Sequence, residues 1–305
     1  MTGDPVVIEA AINGVTNKRR NPNVPLAPDE IAIDALACID AGAGIVHNHV
    51  DRVAVSGPDA AERYLEGWRP VIAARPDALL YPTTNAGPTV VESYSHVAPL
   101  AEAGVLRMGL CDPGSVNFGA LGPDGLPGDP SFVYTNSFTD VRHQLGLCRD
   151  HRLGPSLSIF EPGFLRCALA VWRAGAMPPG AMVKLYFGGD AGYLASARGG
   201  VAFGLPPTPT ALEAYLELLE GCDLPWSVAV LGGDVLASPV AELAVVLGGH
   251  LRVGLEDYAG PHQPTNVQLV RDAVELCERV GRPVATPAQA AERLELPAQP
   301  PVRGG

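Results

Sequence analysis

Hydrophobic positions in this chain fall into short continuous runs. Each run is followed by a polar or Gly/Pro break and then by a stretch with apolar residues at helical spacing. The unit recurs eight times. The apolar runs cover 6–13, 45–50, 79–85, 106–112, 156–161, 182–187, 226–233 and 251–257. Helical patterns follow at 28–41, 58–74, 89–103, 138–151, 162–175, 208–220, 237–247 and 265–280. Several open on good start signals: Pro28-Asp29-Glu30 before an apolar stripe, Thr208-Pro209-Thr210 before Leu212, and Thr265-Asn266 before Val267.

Strict alternation of strand and helix implies parallel pairing, because parallel neighbours need long crossovers. Eight repeats in 305 residues predict a (β/α)8 TIM barrel with its active site at the carboxyl ends of the strands. No GxGxxG follows the first run, which argues against a doubly wound dinucleotide fold. No internal linker interrupts the pattern, so residues 1–305 are read as one domain, with the tail at 297–305 expected to fray. The segment 113–137 is rich in Gly, Pro and Ser and longer than an ordinary βα loop. It follows the fourth run, on the catalytic face, where a lid or substrate-contacting excursion is expected.

Charge narrows the partners. Lys+Arg number 21 against 33 Asp+Glu, a formal net charge of -12. A field of that sign argues against a nucleic-acid or anionic-membrane partner, though not against a local basic pocket. The six cysteines (Cys38, Cys111, Cys148, Cys167, Cys222, Cys277) form no CxxC pair and are expected to be reduced, mostly core residues. No run approaches the roughly 18 apolar residues of a membrane span, and no signal peptide is visible. A soluble cytoplasmic protein is expected.

Barrel chemistry gathers at strand ends. The second run ends His47-Asn48-His49, and residues i and i+2 of a strand share a face, so the two imidazoles are placed to bind one metal. The eighth run supplies Arg252, Gly254 and Glu256 on one face, and Glu256 can complete a two-His, one-carboxylate set. Asp257 is a candidate base, while an Arg252–Glu256 ion pair closing the barrel is the simpler alternative. Thr83, Thr84 and Asn85 end the third run and can hold a carboxylate, although such residues also form turns. Asp112 to Asn117 is equally ambiguous. The runs Gly188-Gly189-Asp190-Ala191-Gly192 and Gly232-Gly233-Asp234 suit either close ligand approach, even by a phosphate, or tight turns. His96, His143 and His151 lie in helical stretches and are expected at the surface.

These residues carry a resemblance to the β-keto acid cleavage enzymes. It rests on Ala10-Ala11-Ile12-Asn13-Gly14, on Ala41-Gly42-Ala43-Gly44-Ile45-Val46-His47-Asn48-His49, on Gly248-Gly249-His250-Leu251-Arg252-Val253-Gly254-Leu255-Glu256-Asp257, and on Ala285-Thr286-Pro287-Ala288-Gln289-Ala290. The resemblance implies a zinc-dependent barrel, usually tetrameric, with His47, His49 and Glu256 as ligands. It implies Asp257 and Arg252 as the acid–base pair and Thr83 in place of a Ser that holds the substrate carboxylate.

The departures are specific. The family run His-Leu-His-Val-Arg-Asp reads His47-Asn48-His49-Val50-Asp51-Arg52 here, with acid and base exchanged. By the same resemblance, Thr16 stands where family members acting on an amino-substituted keto acid carry a Glu, Ser158 where a Glu is common, and Asn85 where a Gly follows the Thr kept as Thr84. A cationic substrate amine is therefore disfavoured. The implied reaction joins a β-keto acid and acetyl-CoA, and yields acetoacetate and a new acyl-CoA. The rivals are a metal-dependent aldolase or lyase working without CoA, and a non-catalytic metal-binding member. A zinc hydrolase of the His-x-His barrel type would need further histidines on strands five and six, which are absent.

Overall fold

A computed structural model describes residues 3–51, 55–193, 199–201 and 203–298. Its strands are β1 (Ile8–Ala11), β2 (Ile45–Asn48), β3 (Leu80–Pro82), β4 (Met108–Cys111), β5 (Val116–Leu121), β6 (Pro127–Tyr134), β7 (Gly154–Ile159), β8 (Met182–Gly188), β9 (Gly200–Val201), β10 (Trp226–Leu231) and β11 (His250–Val253). Eight of them run in the order β3-β2-β1-β11-β10-β8-β7-β4, with every paired neighbour parallel. β3 and β4 come into contact at the seam without a ladder among the described residues, so the barrel is nearly closed. These barrel strands are almost wholly buried, because helices cover the outside and side chains fill the inside.

The helices are α1 (Pro28–Ala41), α2 (Gly57–Ala74), α3 (Val90–Ser93), α4 (Val97–Glu102), α5 (Phe138–Asp150), α6 (Pro162–Arg173), α7 (Pro209–Leu218), α8 (Pro239–Val246), α9 (Asn266–Val280) and α10 (Pro287–Arg293). Local chemistry starts them where predicted. Glu30 accepts the Leu26 and Ala27 amides at α1, Thr208 caps α7, and Thr265 with Gln268 forms a capping box at α9. Asn48, polar on the outer face of β2, accepts the Trp68 indole N–H of α2 at 2.8 Å.

Two expectations are corrected and a third gains detail. The helix predicted over 89–103 breaks into α3 and α4, because Pro99 cannot donate to the Ser95 carbonyl and is tolerated only in a first turn. The segment 113–137, expected to be a lid or a substrate-contacting excursion, is built as a hairpin. Val116, Phe118 and Ala120 turn inward while β5 pairs antiparallel with β6 and β9, and Gly122-Pro123-Asp124-Gly125 makes the turn. Regular pairing of the last strand stops at Val253 rather than 257. Gly254 has φ +136°, and a Cβ there would lie 2.1 Å from the Ala11 carbonyl oxygen, so Glu256 reaches the site from a turn.

Past α10, residues 294–298 cross the amino ends of β4, β7 and β8. Leu296 packs where Gly154 and Gly180 leave room, and Arg107 donates to the Leu296 and Pro297 carbonyls. Of the tail expected to fray, 297–305, residues 299–305 lie outside the described residues, as does Arg52 of the exchanged pair. Cys38, Cys111, Cys148 and Cys277 are buried, Cys167 and Cys222 half-buried, and all six are free thiols. Among the described residues no helix is long and apolar enough to cross a membrane.

Candidate active site

At the carboxyl end of β2, the His47 Nδ1 lies 3.2 Å from the Tyr81 carbonyl. A carbonyl only accepts, so a neutral His47 carries its proton on Nδ1 and keeps the Nε2 lone pair free. Burial, partly opposed by Glu256, lowers the His47 pKa to about 3, so the ring is neutral and fit to be a ligand. His49 is fixed through its backbone: its N–H donates to the Asn13 side chain at 2.8 Å, and Asn13 donates back to the His49 carbonyl at 3.0 Å.

Glu256 is fitted from below by Gly14, where a Cβ would come 2.3 Å from Glu256 Cγ, and by its own amide bond to the Ala11 carbonyl. Its carboxylate lies 3.4 Å from His47 Nε2 and 3.3 Å from His49 Nε2. One ligand atom from each of the three residues falls within 4.8 Å of the others. His49 Nε2 and Glu256 Oε2 are buried without a hydrogen-bond partner, which a divalent ion between them would supply. The donor set therefore fits a metal of the zinc type.

Arg252 stands beside this trio. Its Nε and Nη2 reach the two oxygens of Asp257 at 2.7 and 3.3 Å, and Nη2 lies 3.0 Å from Glu256. The guanidinium carbon sits 5.4 Å from the Tyr186 ring centre. Burial raises the Asp257 pKa against the pull of Arg252, and the Glu256 charge adds to it, giving about 6. Glu256 goes the other way: burial opposes its charge, but Arg252, His49 and His47 hold it well below the usual range. Two adjacent carboxylates are thus driven apart, one a permanent anion and one able to exchange a proton near neutrality.

The remaining predicted residues fall at separate places. The buried Thr16 hydroxyl donates to the Leu255 carbonyl at 2.7 Å and faces Arg20 Nη1 at 3.4 Å, so it props the turn that carries Glu256. Thr83 is held through its backbone, by Tyr64 at 3.2 Å and His96 at 2.9 Å. Thr84 and Asn85 line a cleft of about 560 Å³ with Ser93, Tyr134 and Asn136, and the Asn85 amide nitrogen is buried and unpartnered. Ser158, across the barrel on β7, bonds to Asp112, which also receives the Tyr134 hydroxyl from the hairpin. Among the described residues no hydrogen bond or ion pair joins Thr83, Thr84, Asn85 or Ser158 to His47, His49 and Glu256 or to Arg252 and Asp257.

His96 is fully buried and stacked on Tyr64, contrary to the surface reading; its burial answers to the Thr83 carbonyl it must reach. His143 and His151 are only partly exposed. The two Gly-rich runs are turns rather than a phosphate cradle. The amides of Gly189, Ala191 and Gly232 already donate to carbonyls, and a Cβ on Gly189 would lie 2.4 Å from the Gly232 oxygen.

Sequence reasoning missed Glu9, Tyr81 and Lys184, buried inside the barrel and bonded to one another and to Arg252. It also missed Asn13 and Asn266, the latter holding both the Leu255 amide and the Ile12 carbonyl. One signal was available. Glu9 and Lys184 are lone, opposite charges in apolar runs, and a charge in a buried strand needs a partner.

Residues 5–296 match the family model for the beta-keto acid cleavage enzyme. The chain is 28% identical over 298 residues to a 3-keto-5-aminohexanoate cleavage enzyme of Acetoanaerobium sticklandii, covering 95% of this chain and 98% of that one. It is 29% identical over 303 residues to a 3-oxoadipate:acetyl-CoA acetyltransferase of Cupriavidus necator, covering 96% and 95%. Among solved structures, the binary complex of ObcA with oxaloacetate superposes with a TM-score of 0.64 at 15% identity, over 90% of this chain and 68% of that one, a likeness of fold. With the match running from before β1 to beyond α10, the chain belongs to the β-keto acid cleavage enzyme family.

Proposed function

We propose that this enzyme acylates a β-keto acid with acetyl-CoA and cleaves the adduct to acetoacetate and a new acyl-CoA, at a zinc ion held by His47, His49 and Glu256. The observation that carries the reading is the convergence of those three ligand atoms within 4.8 Å beside the Arg252–Asp257 pair. Acetyl-CoA as co-substrate is supported by the name of the Cupriavidus relative. When bound, zinc would supply a Lewis acid that polarises the keto oxygen.

The chain's own residues do the rest. Asp257, oriented by Arg252, takes a proton from C2 of the keto acid. The C2 carbanion attacks the thioester carbonyl, and CoA thiolate leaves. The thiolate then attacks the original keto carbon, the C2–C3 bond breaks, and the acetoacetate carbanion takes its proton back from Asp257. Thr83, Thr84 and Asn85 hold the substrate carboxylate. Ser158 and Thr16 border the side-chain end, and with Arg20 next to Thr16 a neutral or anionic side chain is favoured over an amine. Family resemblance supports a homotetramer working on small molecules in the cytoplasm.

Incubating the purified protein with a panel of β-keto acids, with and without acetyl-CoA, tests this. Acetoacetate and the matching acyl-CoA are expected only with acetyl-CoA present. Cleavage without it would replace this reading with a lyase, and no turnover across the panel would leave a binding protein.

A further inference from the structure

Below the metal trio, the barrel interior holds charges that the cleavage reading does not use. Glu9 on β1, Tyr81 on β3 and Lys184 on β8 are all buried. Glu9 Oε1 receives the Tyr81 hydroxyl, lies 2.5 Å from Arg252 Nη1 and 3.5 Å from Lys184 Nζ. Lys184 donates more closely to the Tyr81 oxygen, at 2.7 Å. Desolvating such charges is costly unless each meets a partner. The bland account makes Glu9 the counter-ion of Lys184. The distances favour another partner, since the guanidinium is a full ångström nearer.

Arg252 is then held on every edge. Nη1 goes to Glu9, Nε and Nη2 to Asp257, and Nη2 also to Glu256. A planar fork engaged on all sides cannot rotate without breaking a charge-assisted bond. We propose that Glu9 is a positioning residue: from the barrel floor it pins the Nη1 end of Arg252, so that the other edge faces Asp257 at the reacting centre. This rests on the reading of Asp257 as the group that moves the C2 proton.

Glu9→Gln keeps the length and the acceptor for Tyr81 but removes the charge. It is expected to lower kcat on the order of 10- to 100-fold, the usual loss when an orienting partner is removed. The keto-acid KM and the zinc stoichiometry should change little, and Glu9→Asp should recover part of kcat. The double variant Glu9→Gln/Lys184→Met leaves no unbalanced buried ammonium. It should regain thermal stability without regaining kcat, and it carries the test should the single variant not fold. Wild-type kcat in Glu9→Gln, or recovery of kcat in the double variant, would make Glu9 only the counter-ion of Lys184 and overturn the proposal. A crystal structure of either variant gives an arm that needs no turnover. The guanidinium is expected to swing off Asp257, and an unmoved pair sinks the idea even if the wild type proves inactive on β-keto acids. An inactive wild type would instead defeat the cleavage reading.

Discussion

A single hydrogen bond decides which nitrogen of His47 faces the centre, since Nδ1 is engaged by the Tyr81 carbonyl and Nε2 is left 3.4 Å from Glu256. Two imidazoles two residues apart, one at the end of β2 and one just past it, were legible because their relation is local. Glu256 was legible by pattern, although Gly254 bends it into place rather than a strand carrying it there. Glu9 and Lys184 stand out as lone charges in apolar runs, but their role was not legible, because it lies in partners 243 and 175 residues away. Glu256→Gln keeps the shape of the side chain but offers zinc a neutral oxygen, and His47→Ala deletes a nitrogen outright. Each is expected to weaken zinc binding by more than about 100-fold, beyond the cost of losing an outer partner. Metal content after dialysis checks this, and full zinc occupancy in both would remove these residues from the ligand set.

Among elements, helix starts were the most readable feature, because caps and N-terminal prolines act over three or four residues. The hairpin of β5 and β6 was hidden by its Gly and Pro content, which describes its turn and not its strands. The junction of β11 with β1 holds a titratable group. His250 is fully buried, and its Nδ1 accepts the Val7 amide at 3.1 Å. Burial, with Arg293 and Arg282 nearby, lowers its pKa from 6.5 to about 3. Between those values the unfolded chain binds the proton and the folded one does not, so stability falls as pH falls. His250→Asn keeps an acceptor for Val7 but does not titrate. Relative to that variant, the wild type should lose about 2 kcal/mol between pH 7 and pH 5, at roughly 1.4 kcal/mol per pH unit below 6.5. Urea unfolding of both proteins at each pH measures the gap, and a constant gap would show that His250 is not held neutral.

For the whole molecule, charge acts at two ranges that oppose each other. The chain carries a net -12, while β-keto acids and CoA thioesters are anions. Inside the barrel, Arg252 and Lys184 are linked to three carboxylates, those of Glu9, Glu256 and Asp257. That cluster alone has an excess of negative charge, and a divalent ion turns the excess positive. With the proposed metal bound, attraction at the mouth would depend on that ion and be short-ranged, whereas repulsion by the net charge of the chain reaches as far as salt permits. The screening length falls from about 30 Å at 0.01 M salt to about 8 Å at 0.15 M. Over that range the long-range repulsion is removed while the buried cluster, dry and close to its ligand, is little affected. The kcat/KM for an anionic β-keto acid should then rise with ionic strength, the reverse of electrostatic steering by a basic surface. A rate that falls with added salt would mean that a basic field at the mouth extends beyond the barrel and outweighs the net charge.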